Sequence, residues 1–549
     1  MNRILRTMTA AALTIGVAAA CETGDREARE GGTVVVVELA DIEKPMPLIS
    51  ESSLDNQLQA LMYMPLLQPW WADGRLHYLA ADENPMALAR RWEYAGEDSA
   101  TIVYHLRTDI LWSDGRPATA HDAVWTLEAQ GDPATASPRQ DYNRHIESVE
   151  AVDDSTLVVR FTHQYPEMLF HSAGTIAPRH VYEDWDRTQL RNHPAVNNPG
   201  GGNLVVSGPY QIASWRRGQQ IVLERNPHFE PRGNLDRVVF RVIQEETTRL
   251  VELQTARVDM MSPVPFDKQE HLQRDAPHIR YEVREKRFYD YVAYNPQAHD
   301  FFADRDIRRA LGLAIDHHGL IRALDMEDHA IPAGGPYAPI FADLYDPEAH
   351  APLPFDQDEA RRILEEKGWT PGPDGILRRE GRPFRFTLAT NSGNERRASA
   401  AQIIQQQWRR IGVDARIQLM ETNTFFDRLT QRNFEASLGG WGVGLSPDLR
   451  QIWGDPDLPF NYVGYDNPET RELIERALAQ PTANAAAPYW REAAARIVED
   501  QPYTWLYYFD ELVGVADRLQ GTTINTLSTY QQMWEWHVTD GRDAAPAAN

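Results

Sequence analysis

Residues 384–444 read FRFTLATNSGNERRASAAQIIQQQWRRIGVDARIQLMETNTFFDRLTQRNFEASLGGWGVG, and the spacing of their apolar residues changes four times. Phe384, Phe386 and Leu388 alternate with polar neighbours, as in a strand with one covered face. Ile404, Trp408 and Ile411 then recur at helical spacing until Gly412, a residue suited to the left-handed turn that ends a helix. Val413, Ala415, Ile417 and Leu419 alternate again, Phe425, Phe426 and Leu429 mark a second helix, and Phe434, Ala436 and Leu438 mark a third strand. The order β-α-β-α-β predicts parallel strands joined by right-handed crossovers. Open sheets of this kind bind ligands beyond the carboxyl ends of their strands. That rule singles out two loops, Thr390 to Asn394 and Gly439 to Gly444.

Outward from this unit the same two periodicities continue. Ile307, Leu311, Ala314 and Ile315 make one apolar face of a helix expected over Arg305–Leu324. Ala360, Ile363 and Leu364 make another that starts at Asp356 and stops at Gly368. Val35–Leu39, Thr101–Arg107, Thr156–Phe161, Gln220–Arg225 and Arg237–Val242 read as strands. Strands at both ends of the chain with a βαβ unit late in it predict a domain that the chain leaves and re-enters.

Composition bounds the function. With 42% hydrophobic and 25% charged residues over 549 positions, the chain has globular composition and length for two or three domains. The net charge of −25 argues against nucleic acid, whose phosphates are bound by clustered Lys and Arg. The acidity is spread along the chain and serves solubility. The single cysteine, Cys21, leaves the body without a disulfide. It follows a leader with Arg3 and Arg6 and an uncharged stretch from Met8 to Ala20, too short to span a bilayer and flanked like a secretory signal. The Ala18-Ala19-Ala20-Cys21 junction resembles the lipobox of bacterial lipoproteins, with Ala18 in place of the usual Leu. The expectation is a protein exported from the cytoplasm and held at a membrane surface by an acyl anchor on Cys21; an ordinary cleaved signal would also export it.

Five segments, in order, resemble the family 5 extracytoplasmic solute-binding proteins of ABC transporters, the dipeptide, oligopeptide and nickel binders. The run Trp112-Ser113-Asp114-Gly115-Arg116-Pro117-Ala118-Thr119-Ala120-His121-Asp122 is similar to the family's W-x-D-G-x-P-x-T-A-x-D signature. Ser207-Gly208-Pro209-Tyr210 and Arg225-Asn226-Pro227 resemble its G-P-Y and R-N-P pair. The segments Asp306 to Asp316 and Phe355 to Trp369 resemble two of its helices, and the Trp441 loop resembles the oligopeptide-binding subgroup, with Asn461-Tyr462-Val463-Gly464-Tyr465 following. The resemblance implies an α/β fold, a bilobal clamp of the class II type with an extra subdomain and mixed sheets carrying helices on both faces. It divides the chain into a signal peptide (1–20), an anchored linker (21–32), a first-lobe core (33–66, 205–275 and 505–540), an accessory subdomain (67–204), a second lobe (276–504) and a tail (541–549). It also implies a monomer that captures a peptide or related small solute and delivers it to permease subunits, with no cofactor and no metal. A binder serving a sensor or a chaperone role would have the same body.

Within that resemblance the candidate ligand-binding residues are Trp441, Gly442, Asp448, Asn391, Arg396 and Tyr462. The best-known peptide binders carry an Asp three residues after the Trp that pairs with the ligand's ammonium group; here that place is Gly444, and Asp448 is the nearest substitute. Asp448 also suits a turn or helix start after Pro447. Arg396, near the start of the Trp408 helix, is placed to bind a carboxylate with the positive helix end, or to be a solvated first-turn arginine. An enzyme is disfavoured. The chain has no H-E-x-x-H, G-x-S-x-G or phosphate-loop motif, and the adjacent His317 and His318 read as surface residues.

Overall fold

The computed structural model describes residues 31–539 apart from residues 51, 73–74, 97, 443–445 and 525. The leader, Cys21, Gly444 and the tail lie outside the described residues. Gly31 and Gly32, at the end of the expected linker, are already tied to the body: the Gly31 amide donates to the Asn234 carbonyl and the Gly32 amide to Asp236 Oδ2, each over 2.8 Å.

The βαβαβ unit forms as its spacing predicts. Strands Arg385–Asn391, Asp414–Met420 and Ala436–Gly442 alternate with helices Glu395–Arg410 and Thr422–Thr430. Arg385–Asn391 lies between the other two strands and pairs parallel with both. Ala436–Gly442 then pairs antiparallel with Ile279–Tyr294, which joins this unit to a larger mixed sheet of eleven strands among the described residues. Across that sheet follow Tyr503–Ala516, Met260–Val264, Thr33–Glu38, Arg237–Val242, Gln220–Arg225 and Tyr210–Arg216. The chain does leave and return: Tyr503–Ala516 comes back to pair with Met260–Val264.

Two strands carry the fold from one lobe to the other. Ile279–Tyr294 and Tyr503–Ala516 run antiparallel in register from Ile279↔Ala516 to Arg284↔Glu511, break, and resume at Phe288↔Phe509. An irregularity of this kind bends a ladder and sharpens its twist, so the two halves of the sheet are re-aimed at one point. On the second half, Val292 and Tyr294 pack with Ile307, Leu311, Ile404 and Trp408 on one face. Tyr289 and Tyr291 face the opposite side, where Ile474, Trp490 and Ile497 of helices Pro468–Leu478 and Ala483–Asp500 close the core. A separate four-stranded antiparallel sheet, Ala89–Ala95, Thr101–Leu106, Thr156–Phe161 and Ile146–Asp153, joins that same core through Ile102, Tyr104, Leu157 and Val159.

The sequence signatures turn out to be architectural. Trp112 is fully buried, and its indole points at Asp122, which also accepts from the Thr119 and Arg179 amides at 2.8 Å. Gly115 takes φ +85°, a value that other residues adopt only with strain. At Gly208 a Cβ would sit 2.7 Å from the Met62 carbonyl carbon, so no larger residue fits between the two segments. Two expectations need correction. The helix over Arg305–Leu324 is two, Arg305–Leu313 and His317–Ala323, because Asp316 turns its carboxylate to the Gly319 amide and caps a new start. His317 is consequently buried, with Nε2 donating to the Trp505 carbonyl over 3.0 Å, and burial holds its pKa down at about 4.

Candidate binding cleft

The carboxyl ends of the parallel strands open onto a cleft between the lobes. Trp441 and Gly442 end their strand beside a cavity of about 130 Å³, walled from the same lobe by Tyr289, Tyr337, Ser446, Asp448, Gln451 and Trp453. Tyr142 and Phe170, next to the four-stranded sheet, close it from the other side. These two rings, 5.3 Å apart, also line a second cavity of about 440 Å³ that runs between Gln59, Tyr63, Tyr78 and Gln531. Trp441 is stacked on Tyr462 at 5.2 Å and meets Phe460 edge-on. The wall it presents is therefore a rigid aromatic layer.

Of the six candidate residues, the fold brings Trp441, Gly442, Asp448 and Tyr462 together and places Asn391 and Arg396 elsewhere. The Asp448 carboxylate is 3% exposed and takes two contacts from Arg450, Nη2 at 2.7 Å and Nε at 2.9 Å. Arg450 Nη1 lies 3.1 Å from Asp141 across the cleft, and Nη2 lies 3.1 Å from His171 Nε2. That contact requires an unprotonated Nε2, so the ring proton sits on Nδ1, facing the Tyr165 hydroxyl at 2.8 Å. Burial alone would raise the Asp448 carboxyl, but the Arg450 guanidinium holds it well below the usual carboxylate range. Asp448 also starts the short helix Arg450–Trp453 by accepting the Arg450 amide, the turn role its place after Pro447 allows.

Arg396 and Asn391 belong to a second charged cluster under the first loop. Asp290, fully buried on the crossover strand, receives Arg396 Nε and Arg397 Nε, each at 3.1 Å, and the Tyr507 hydroxyl at 3.0 Å. Burial would raise the Asp290 carboxyl; the two guanidiniums hold it below its ordinary value. The Arg396 guanidinium is thus paired inside the protein and lies 3.9 Å over the Phe509 ring, and neither of the roles expected for it matches that setting. Asn391 is buried, with Oδ1 accepting from Arg397 Nη1 at 3.0 Å. The loop they support touches the other lobe: Gly393, at φ +77°, approaches the Gln244 carbonyl so closely that a Cβ would collide, and its own carbonyl accepts from Arg249 Nη2 at 3.0 Å.

Sequence reasoning missed Tyr142, Phe170, His171, Asp141 and Arg450. The first four come from segments some 300 residues away from the Trp441 loop and carry no spacing that marks them. Arg450, two residues beyond Asp448, was the one visible partner.

Glu167 sits beside this cluster. Burial, reinforced by Asp448, pushes its carboxyl from 4.5 up to about 8. A raised carboxyl binds its proton more tightly in the folded state, so its stabilising effect is complete below about pH 4.5 and declines as pH rises toward 8. Glu38, raised to about 7 by burial, adds a slope of the same sign. Glu167→Gln should leave the melting temperature at pH 4.5 nearly unchanged and raise it at pH 8, flattening the pH profile in thermal melts; parallel profiles for the two proteins would show that Glu167 is ionised throughout.

A bilobal α/β body crossed by two strands, with an aromatic cleft at the crossing, is the architecture of a substrate-capturing binding protein. Residues 85–454 match the family described as bacterial extracellular solute-binding proteins, family 5 (middle), and the chain belongs to that family. It is 27% identical over 428 residues to the oligopeptide-binding protein AppA of Bacillus subtilis, covering 76% of this chain and 77% of AppA. The structure of that AppA in complex with a nonapeptide superposes with a TM-score of 0.85 at 23% identity, over 93% of this chain and all of the other. A lactococcal OppA complexed with an endogenous peptide in the closed conformation gives 0.80 at 17% identity, over 92% of this chain and all of the other. Among the described residues no helix is long and apolar enough to cross a membrane, and no cluster of His, Cys, Asp and Glu is placed to hold a metal.

Proposed function

We propose that this protein captures peptides between its lobes outside the cytoplasm and delivers them unaltered to the permease of an ATP-driven importer. One observation carries this: the cleft is walled from both lobes at once, by Tyr142 and Phe170 on one side and Tyr289 and Trp441 on the other. A ligand there makes contacts that exist only when the lobes are together, so its binding energy shifts the population toward the closed form that a permease can recognise. The peptide-binding relatives support the choice of solute.

Trp441, backed by the buried Tyr462 ring, forms the flat wall against which a ligand main chain lies, and exposed Gly442 lets backbone come close to it. Asn391 and Arg396 act at one remove, by holding the loop that meets Gln244 and Arg249. Residues 33–66 and 205–275 with the later half of the returning strand make the first lobe, and 67–204 its accessory subdomain. The crossings are better set at the register break near 284–288 and 509–511 than at 275/276 and 504/505. Acylation of Cys21 would tether the protein, as a monomer, to the membrane that holds its permease.

The test is mass spectrometry of the small molecules that co-purify with the protein, followed by thermal melts against them. Peptides should be recovered, and each should raise the melting temperature with concentration, since a ligand that binds only the native state stabilises it by mass action. Recovery of non-peptide solutes alone, or turnover of a bound peptide, overturns the proposal.

A further inference from the structure

Arg287 stands where strand Ile279–Tyr294 crosses between the lobes, inside the register break. Its Nη1 donates to the Thr526 carbonyl and, at 3.3 Å, to the Leu527 carbonyl, which fixes the plane of the guanidinium. The other edge of the fork is unused. Nε is enclosed and has no hydrogen-bond acceptor, and Nη2 has none among the described residues. The N–H bonds of Nε and Nη2 point the same way, at the spacing of the two oxygens of one carboxylate. No carboxylate among the described residues takes that place: Glu511, the acid whose charge acts on Arg287, is held by Arg284 Nη1 at 2.7 Å, and Glu38 accepts the Tyr530 hydroxyl. A cation enclosed without a counter-ion is costly. Burial, with the Arg284 charge nearby, draws the Arg287 pKa from 12.5 down to about 9.

The unused edge lies at the cleft. Nη2 is 3.7 Å from the point that a Cβ on Gly442 would occupy, so the missing side chain there leaves space beside it. Gly442 borders the smaller cavity and Leu527 the larger, and Arg287 itself is only half-buried. The other guanidiniums near the cavities are engaged. Arg450 holds Asp448 and Asp141, and Arg139 donates to the Pro47 carbonyl at 3.1 Å and to Asn56 Oδ1 at 2.6 Å. We infer that Arg287 is an anion-binding residue of the cleft, whose Nε and Nη2 edge takes a carboxylate of the captured peptide, from its carboxyl terminus or from an Asp or Glu side chain. This rests on the peptide reading above and narrows it to ligands that bring a carboxylate to the crossing strand.

Three random tetrapeptide libraries are offered separately to the full-length protein, and captured species are quantified by mass spectrometry. One is built without Asp and Glu but has free carboxyl termini, one is carboxy-amidated with a single Asp or Glu in each peptide, and one is carboxy-amidated with Asn or Gln in its place. At least one of the first two should be recovered about tenfold better than the third, as expected for a partly desolvated bidentate pair; which of them leads tells the terminal carboxylate from the side chain. Arg287→Met keeps an apolar stem and removes the charge, so it should weaken the best carboxylate-bearing peptide about 30-fold and its amidated, uncharged counterpart less than about threefold. If that variant does not melt cooperatively, Arg287→Lys, which keeps the charge and loses the paired edge, should still weaken the carboxylate-bearing peptide about tenfold. Equal recovery of the three libraries, or an equal loss for both peptides in the variant, overturns the inference and leaves peptide capture intact. Recovery of none of the libraries overturns peptide capture, and the inference with it.

Discussion

Arg450→Met should open the protein. The guanidinium balances Asp448 on its own segment and Asp141 on the facing one, and the three side chains are 2%, 3% and 8% exposed. Removing one partner of a buried ion group strands what it held, here Asp448 above all, since Asp141 keeps Arg144 at 2.8 Å, at a cost of about 3–5 kcal/mol. Here the fold has an escape that a rigid core lacks. Parting the lobes returns both carboxylates to water, so much of the cost falls on closure and less on folding. Peptide affinity should therefore drop about 100-fold or more, since each 1.4 kcal/mol is a factor of ten. Small-angle scattering at a peptide concentration that saturates the wild type should give a larger radius of gyration for the variant. Asp141→Asn, which keeps the shape and removes one of the two acids, should have a much smaller effect. Wild-type affinity and scattering in the Arg450 variant would mean that the cluster takes no part in closure.

The second large effect is expected at Asp290→Ala. This carboxylate neutralises Arg396 and Arg397 and accepts the Tyr507 hydroxyl, all inside the second lobe. Its loss leaves two guanidiniums side by side without that counter-charge, on helix Glu395–Arg410, which is packed on the sheet through Ile404 and Trp408. The result should be a loss of about 3–5 kcal/mol of folding stability, read as a lower midpoint in urea with an unchanged slope. Asp290→Asn should recover little, because an amide cannot balance two cations. A loss under about 1 kcal/mol would show that the guanidiniums find other partners. The contrast between the variants separates two roles that look alike in burial: one charged cluster spans the cleft, the other supports the loop beside it.

The comparison of sequence and structure divides along physical lines. The β-α-β-α-β unit was legible because each strand and helix of 384–442 covers one face, and a covered face prints its period on the chain. The break at Ala314–Asp316 was not, because Ile307, Leu311, Ala314 and Ile315 keep a helical spacing straight through it and only the Asp316 cap reveals the second start. Trp441 could be placed at a strand's carboxyl end by topology alone. Asp448 could be seen as a carboxylate near the site, but its availability depended on Arg450, Asp141 and His171, two of which lie far away in sequence.

The sequence by itself determined the family, the parallel unit, the loops at its carboxyl edge and the acidic character of the body, since these follow from local periodicity, turn-forming residues and composition. Only the tertiary structure decided that Arg396 supports a loop, that Asp448 is neutralised, and that Tyr142 and Phe170 complete the aromatic wall. The physical reason is that charge and hydrogen-bond availability belong to pairs of residues, and the pairs here are made by two strands that bring distant segments to one cleft.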